Sequence, residues 1–402
     1  MKTYLSLLWI AAICLCVSGC SNYRELNQIG VIIGLGIDKN ENLEQPYKVT
    51  YQVINPSGLS QGSSSGGQGL PVINYTVTAK TLVEALKKAS VVIPREHITS
   101  HLSLIVVGEK LARNDLSLLF DALDRGKQAR TSIPVFIARD GNAEKLLGVI
   151  EPFEVTPVKS ILSTTQNNQK MYGIVSNVQA YEVISMLLSE GKDLSLPGID
   201  INKPSQKSEE AGNLENTSPS AMQVKGLAMF RKGKLVRWLD GDEARSVQLV
   251  MSKVKSTALV FPCNINANIT VTTTGIKSQI KTKIRRGQPF IHTDLNVMGE
   301  ITETSCQKDL GNPKVLKELE KEVQNELQKE ITKTITIAQK EKADIFGFGD
   351  SLSRTNPSYW RQHKQNWENL FSSAKVSMNV NVVISDCKIL NNSDSKFPNN
   401  NR

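Results

Sequence analysis

The sequence predicts a mixed α/β fold, α+β in detail, with several domains: mixed sheets flanked by helices, and a C-terminal antiparallel meander packed with one long helix. Three observations predict it. Strand-like and helix-like stretches alternate between Ile29 and Ala138, as in an α/β layer. A polar stretch bearing Pro, Ser, Glu and Asn interrupts the pattern from Lys203 to Ala221. Beyond it come strands with a period of two, then apolar residues at helical spacing over many turns. The 402 residues, 40% hydrophobic and 22% charged, suit a folded body with room for two or three domains.

The first stretch is a targeting segment, residues 1–19, and no part of the fold. Lys2 supplies a positive start, Leu5 to Val17 form an almost unbroken apolar run, and Val17-Ser18-Gly19-Cys20 closes it. The run is shorter than the ~20 residues of a spanning helix and reads as a signal peptide. Aliphatic residue, small residue, Gly and Cys in that order form a bacterial lipobox, in which the Cys20 thiol receives a diacylglyceryl group before cleavage. A signal peptide with a chance cysteine is the competing reading. Two acyl chains on Cys20 hold a protein firmly where one is marginal. No later apolar run is long enough to span, so the body is expected outside the bilayer, exported and lipid-anchored. A formal net charge of +9 suits anionic headgroups, although Lys-rich solubility explains it equally well.

An N-terminal α/β domain is expected over 20–150. Ile29 to Asp38 is a strand run with glycines at 30, 34 and 36. No Lys-Ser/Thr and no helix follow them, which points to close backbone packing and not to a phosphate loop. Tyr47, Val49, Tyr51 and Val53 alternate with Lys48, Thr50 and Gln52, predicting a half-buried strand. Ser57 to Gly69 is a Gly/Ser/Gln excursion, and Val72 to Thr78 resumes the strand pattern. Thr81 caps a helix through Ala89; a strand over Leu102 to Val107, a helix over Leu111 to Leu123 and a strand over Pro134 to Ala138 follow. Residues 151–202 form a helical middle region, with helices over Val155 to Thr165 and Val178 to Ser189. Residues 203–221 are the linker.

The C-terminal domain is expected over 222–390. Met222 to Phe230 and Leu235 to Leu239 form a hairpin about Lys232-Gly233-Lys234, and Asp240 starts a short helix. Three strands are expected between Ile265 and Val297, with a turn at Thr274-Gly275. On the second, Lys277, Lys281, Lys283 and Arg285 share the solvent face. This ladder is a candidate membrane or partner contact, and lysine guarding an edge strand against aggregation is the plainer reading. Asn312 caps and Pro313 begins a helix running to about Phe346, ~50 Å at 1.5 Å per residue. Its apolar steps, mostly of four, fit packing on a sheet better than a coiled-coil seam. A further helix carries Trp360, His363, Trp367, Leu370 and Phe371 on one side, and Val376 to Ile384 is a last strand. Residues 391–402 form an Asn-rich tail.

No catalytic, metal or cofactor constellation is legible, and the chain is expected not to be an enzyme. His97 and His101 are four apart, but Ile98 stands where a metalloprotease needs Glu. His292 and Asp294 share a strand face without a nucleophile at a defined spacing. Cys263, Cys306 and Cys387 make neither a disulfide framework nor a zinc ribbon; at most one bridge is expected and none is assigned. The dense basic clusters with stacking aromatics of nucleic-acid binders do not occur.

Short blocks in sequence then carry a resemblance. They are Arg24-Glu25-Leu26, Gly36-Ile37-Asp38, His101 ahead of Leu104 to Ala112, Arg125 with Arg130, Lys225 to Phe230 and Leu235 to Leu239. Gly299-Glu300-Ile301, Asp344 to Gly349, and Pro357 through Trp360 to Trp367 and Phe371 continue the series. With the lipobox, this order resembles the Ger(x)C family of spore-germination lipoproteins across the mature chain. The resemblance implies the C subunit of a nutrient germinant receptor, anchored through Cys20 on the outer face of the spore inner membrane. Its implied partners are an A subunit and a transporter-like integral B subunit. It also implies a three-domain α/β body with no known enzymatic activity. The Ser57 to Gly69 excursion and the linker near Asn213 depart from the family pattern. Two other functions stay open: a solute-binding lipoprotein serving a transporter, and an envelope hydrolase using His101 or His292.

Overall fold

The computed structural model describes residues 28–59, 70–125, 131–149, 151, 153–201, 222–264 and 266–384. Cys20, Arg130, Cys387, most of the Gly/Ser excursion, the linker at 203–221 and the Asn-rich tail lie outside the described residues. The first sheet contains β1 (Ile29–Lys39), β2 (Tyr47–Ile54), β3 (Val72–Ala79), β4 (Glu96–Ile98), β5 (Leu104–Gly108), β6 (Val135–Ala138), β7 (Ser195–Ile201), β8 (Met222–Arg231) and β9 (Lys234–Leu239). Its order is β3-β2-β1-β5-β6-β7-β8-β9, with β4 beside the start of β1. The central strands β1-β5-β6-β7 run parallel, and both flanks are antiparallel. Because β7 pairs with β8, this sheet takes strands from both sides of the segment at 203–221.

Helices cover both faces. They are α1 (Pro56–Leu59), α2 (Leu82–Val92), α3 (Glu109–Ala112), α4 (Ser117–Arg125), α5 (Ala143–Leu147), α6 (Pro157–Met171), α7 (Ala180–Leu188) and α8 (Gly241–Val250). On one side α2, α4 and α7 close a compact core against β1, β2 and β5. On the other, α5 and α6 lie flush on β1 because two glycines leave room. A Cβ on Gly34 would come 2.7 Å from Val158 Cγ2, and one on Gly36 3.0 Å from Leu147 Cδ1. The strand β2 is buried on both faces, not half-buried: Thr50 and Gln52 are 0% exposed. Gln52 Nε2 donates to Leu147 O at 2.7 Å and Asn74 Oδ1 at 3.0 Å, so helix α5 covers the polar face that was expected to be wet.

Two local departures have clear causes. The helix expected over Leu111 to Leu123 is broken into α3 and α4, because Asp115 Oδ1 caps Ser117 N at 2.8 Å and Leu116 N donates to Gly233 O at 2.9 Å. Helix α5, capped by Asn142, is an element that the sequence pattern does not predict. It is seeded by Asp38 at the end of β1, whose carboxylate accepts from Ala143 N at 2.8 Å and Glu144 N at 3.0 Å.

The second sheet has the order β10 (Ala258–Asn264), β11 (Ala267–Arg285), β12 (Gln288–Thr304) and β13 (Lys375–Ile384). The first three form the antiparallel meander, and β13 joins β12 in parallel. Thr274-Gly275 is no turn. It is an irregularity inside the 19-residue β11, and the chain reverses at Arg286-Gly287, where φ is 51° and 75°. The long helix α9 (Pro313–Lys340) lies along β13 and buries Leu319, Val323, Leu327, Ile331, Ile335 and Ala338. It stops at Lys340 and not near Phe346, because Lys342 turns left-handed at φ 56°. The aromatic stretch is three short helices, α10 (Phe348–Thr355), α11 (Pro357–His363) and α12 (Trp367–Ser373). Cys263 and Cys306 form a disulfide with Cα atoms 6.3 Å apart, within the normal range. One continuous core runs from β5 and β6 through α6 and α8 to β12 and α9.

Candidate functional site: the junction between the sheets and the basic sheet face

The block Asp344 to Asp350 is where the two sheets are tied together. Asp344 follows the end of α9 and is 1% exposed. Its Oδ1 accepts from Gly347 N at 2.9 Å and Phe348 N at 3.1 Å, and its Oδ2 from Gly349 N at 2.8 Å and Trp367 Nε1 at 3.0 Å. Burial pushes this carboxyl up to about 7, helped by the nearby Asp193 charge, with the Gly349 and Phe348 N–H groups and the Trp367 indole opposing. The loop before β7 meets it: Asp193 N donates to Asp344 O at 2.8 Å, and Asp193 Oδ2 accepts from Asp344 N at 2.8 Å. Burial also raises Asp193, while the Lys232 and Asp344 N–H groups hold it down. Asp350 N donates to Gly191 O at 3.0 Å, and Ser189 Oγ to Asp350 Oδ1 at 2.8 Å. Gly349 is required at the seam, since a Cβ there would lie 2.6 Å from Trp367 Nε1 and 2.7 Å from Gly191 Cα. Lys232, in the β8–β9 turn, adds an ion pair to Glu368 at 2.9 Å. Such a seam positions one sheet against the other, and it offers no exposed reacting group.

The basic ladder stands where the alternation placed it. Lys277, Lys281, Lys283 and Arg285 occupy exposed positions of β11, and β10 pairs only with residues 267–272 of that strand, so the ladder forms a sheet edge. Lys281 Nζ reaches Asp294 Oδ2 at 2.7 Å and holds that carboxyl below its usual range. Arg285 lies over the Phe290 ring at 3.9 Å. Lys277 and Lys283 have no carboxylate at ion-pair distance among the described residues.

The fold supplies the hydroxyl that sequence spacing could not. Ser377 on β13 lies opposite His292, its Oγ 2.8 Å from Nδ1, while His292 Nε2 is 3.1 Å from Asp294 Oδ1. The trio sits on the wet side of the sheet with the His292 side chain 34% exposed, and Lys281 shares the carboxylate. A triad works inside a water-excluded site with donors aimed at an oxyanion. Here three strands are cross-linked by a solvated polar network. His97 lies on β4 with Nε2 3.1 Å from Leu86 O, and His101 is exposed. Among the described residues no group of three His, Cys, Asp or Glu could hold a metal ion.

Comparison with known proteins agrees with this geometry. The family "Spore germination protein N-terminal domain" matches residues 22–201, and "Spore germination B3/ GerAC like, C-terminal" matches residues 225–387. Spore germination protein KC of Bacillus subtilis (strain 168) is 31% identical over 373 residues, 91% of each chain. Spore germination protein B3 of the same organism is 25% identical, covering 94% of this chain and 96% of the relative. A crystal structure of the GerBC protein superposes with a TM-score of 0.52 at 20% identity, covering 88% of this chain and 97% of the other. With both family regions matched in order over nearly its whole length, the chain belongs to the Ger(x)C family of spore-germination proteins.

Proposed function

We propose that this chain is the lipid-anchored C subunit of a nutrient germinant receptor, a non-catalytic part that holds or relays the state of its partners. Family membership is the observation that carries the reading. The junction at Asp344 supports it, because a body meant to transmit contacts needs its two sheets held in fixed relation. The Cys263–Cys306 bridge is also a bond that persists outside the reducing cytosol. On this reading Cys20 bears the diacylglyceryl group, and the body lies on the outer face of the spore inner membrane beside the A and B subunits. Lys277, Lys283 and their neighbours face anionic lipid or an acidic partner surface. No helix of the described residues is long and apolar enough to cross a membrane.

Replacing Cys20 by Ala tests the anchor. The protein is expected to leave the membrane fraction of spores, and the response to nutrient is expected to fall. Full membrane retention with normal germination would overturn the proposal.

A further inference from the structure

Between the β1–β2 face of the first sheet and the helices α2 and α4 lies a half-open cavity of about 320 Å³. Its floor includes Leu35, Val49 and Tyr51, and Leu86 and Leu123 come down from the helices. This volume lies near the lower limit of ~300–1,000 Å³ for small-molecule sites. Filled at ~30 Å³ per water-sized group, it holds about ten methylenes.

Three polar groups interrupt the apolar lining: Tyr51, Thr99 and Lys87. Tyr51 is 2% exposed and lines the cavity from the sheet. A buried tyrosine hydroxyl is a natural anchor for a polar ligand group. Burial pushes the Tyr51 phenol well up, so the group remains an O–H donor. Lys87 is exposed on α2 and has no carboxylate at ion-pair distance among the described residues. The Tyr51 phenol on the sheet and the Lys87 ammonium on the helix both belong to residues lining the cavity, and both are donors. What they lack is an acceptor with negative charge.

We propose that this cavity binds a free aliphatic carboxylate of about ten carbons, its chain against Leu35, Val49, Leu86 and Leu123 and its carboxylate received by Tyr51 O–H and Lys87 Nζ. The inference goes beyond the receptor reading, because binding is read on the chain itself and stands or falls without its partners.

The test uses membranes holding the full chain, a photoreactive diazirine analogue of decanoate, and mass spectrometry of the labelled peptides. Label is expected on the peptides of β2 and α2. Unlabelled decanoate should compete, and decanol, which lacks the charge, should compete roughly tenfold less well. Leu86→Trp, which fills the space, should abolish the labelling. Tyr51→Phe removes one oxygen and should weaken competition by decanoate roughly tenfold, whereas Lys87→Met at the exposed edge should cost about threefold. Label spread over surface peptides and insensitive to Tyr51→Phe would overturn the proposal, as would decanol competing as well as decanoate. Labelling of the same peptides by a photoreactive phosphatidylglycerol acyl chain, with no competition from decanoate, would assign the cavity to membrane lipid instead.

Discussion

Asp344 is fully buried yet accepts four N–H donors, three from the turn that follows it and one from Trp367. Replacing it by Asn turns one acceptor into a donor facing those N–H groups, and should cost roughly 2–4 kcal/mol in urea unfolding. The pH dependence has a definite sign. Because burial raises the folded value from 3.8 to about 7, the folded state binds the proton more tightly than the unfolded state does. Its contribution to stability is present below the unfolded value and is lost as pH rises through about 7. Wild type should therefore lose stability between about pH 4 and pH 7, and Asp344→Asn should flatten that part of the curve. The close packing at Gly34 and Gly36 was legible in the sequence, since three glycines in an apolar run admit few other roles. The part played by Asp344 was not: its block was visible only as a family resemblance, and Asp193 reaches it from 151 residues away.

Among the elements, α9 illustrates why a strong period is readable. Its apolar positions recur at three and four, and those residues are the ones buried on the sheet. Leu327→Ala should cost about 2–5 kcal/mol, because the helix is fixed at both ends and cannot close the void. Breaking the Cys263–Cys306 bridge frees a loop of 43 residues and should lower stability by about 4 kcal/mol, read as a shift in melting temperature with reductant. Elements without a private signal are not legible in the sequence. Gly275 looked like a turn, but the partner strand β12 continues past it, and Met298 lies across the space a Cβ would take. β10 carries Pro262 and escaped notice because its pairing partner, not its own alternation, makes it a strand. The single aromatic helix is three because Asn356-Pro357 ends α10 and a 3₁₀ turn at Lys364–Asn366 ends α11.

At the scale of the whole molecule, two sheets share one continuous core, and the connection between them is both apolar and charged. Sequence order revealed the mixed α/β fold class. It could not reveal that Met222–Leu239 would complete the first sheet, because strand partnership across 203–221 is a tertiary choice. A body so tied suits the proposed role of a fixed adaptor for its partners. Mild-detergent extraction of spore membranes, with this chain as the affinity handle, tests that claim most directly. The expected result is recovery of an integral transporter-like subunit and a second, partly soluble subunit in constant proportion to the chain. Recovery of the chain alone, from spores whose nutrient response survives its deletion, would contradict it.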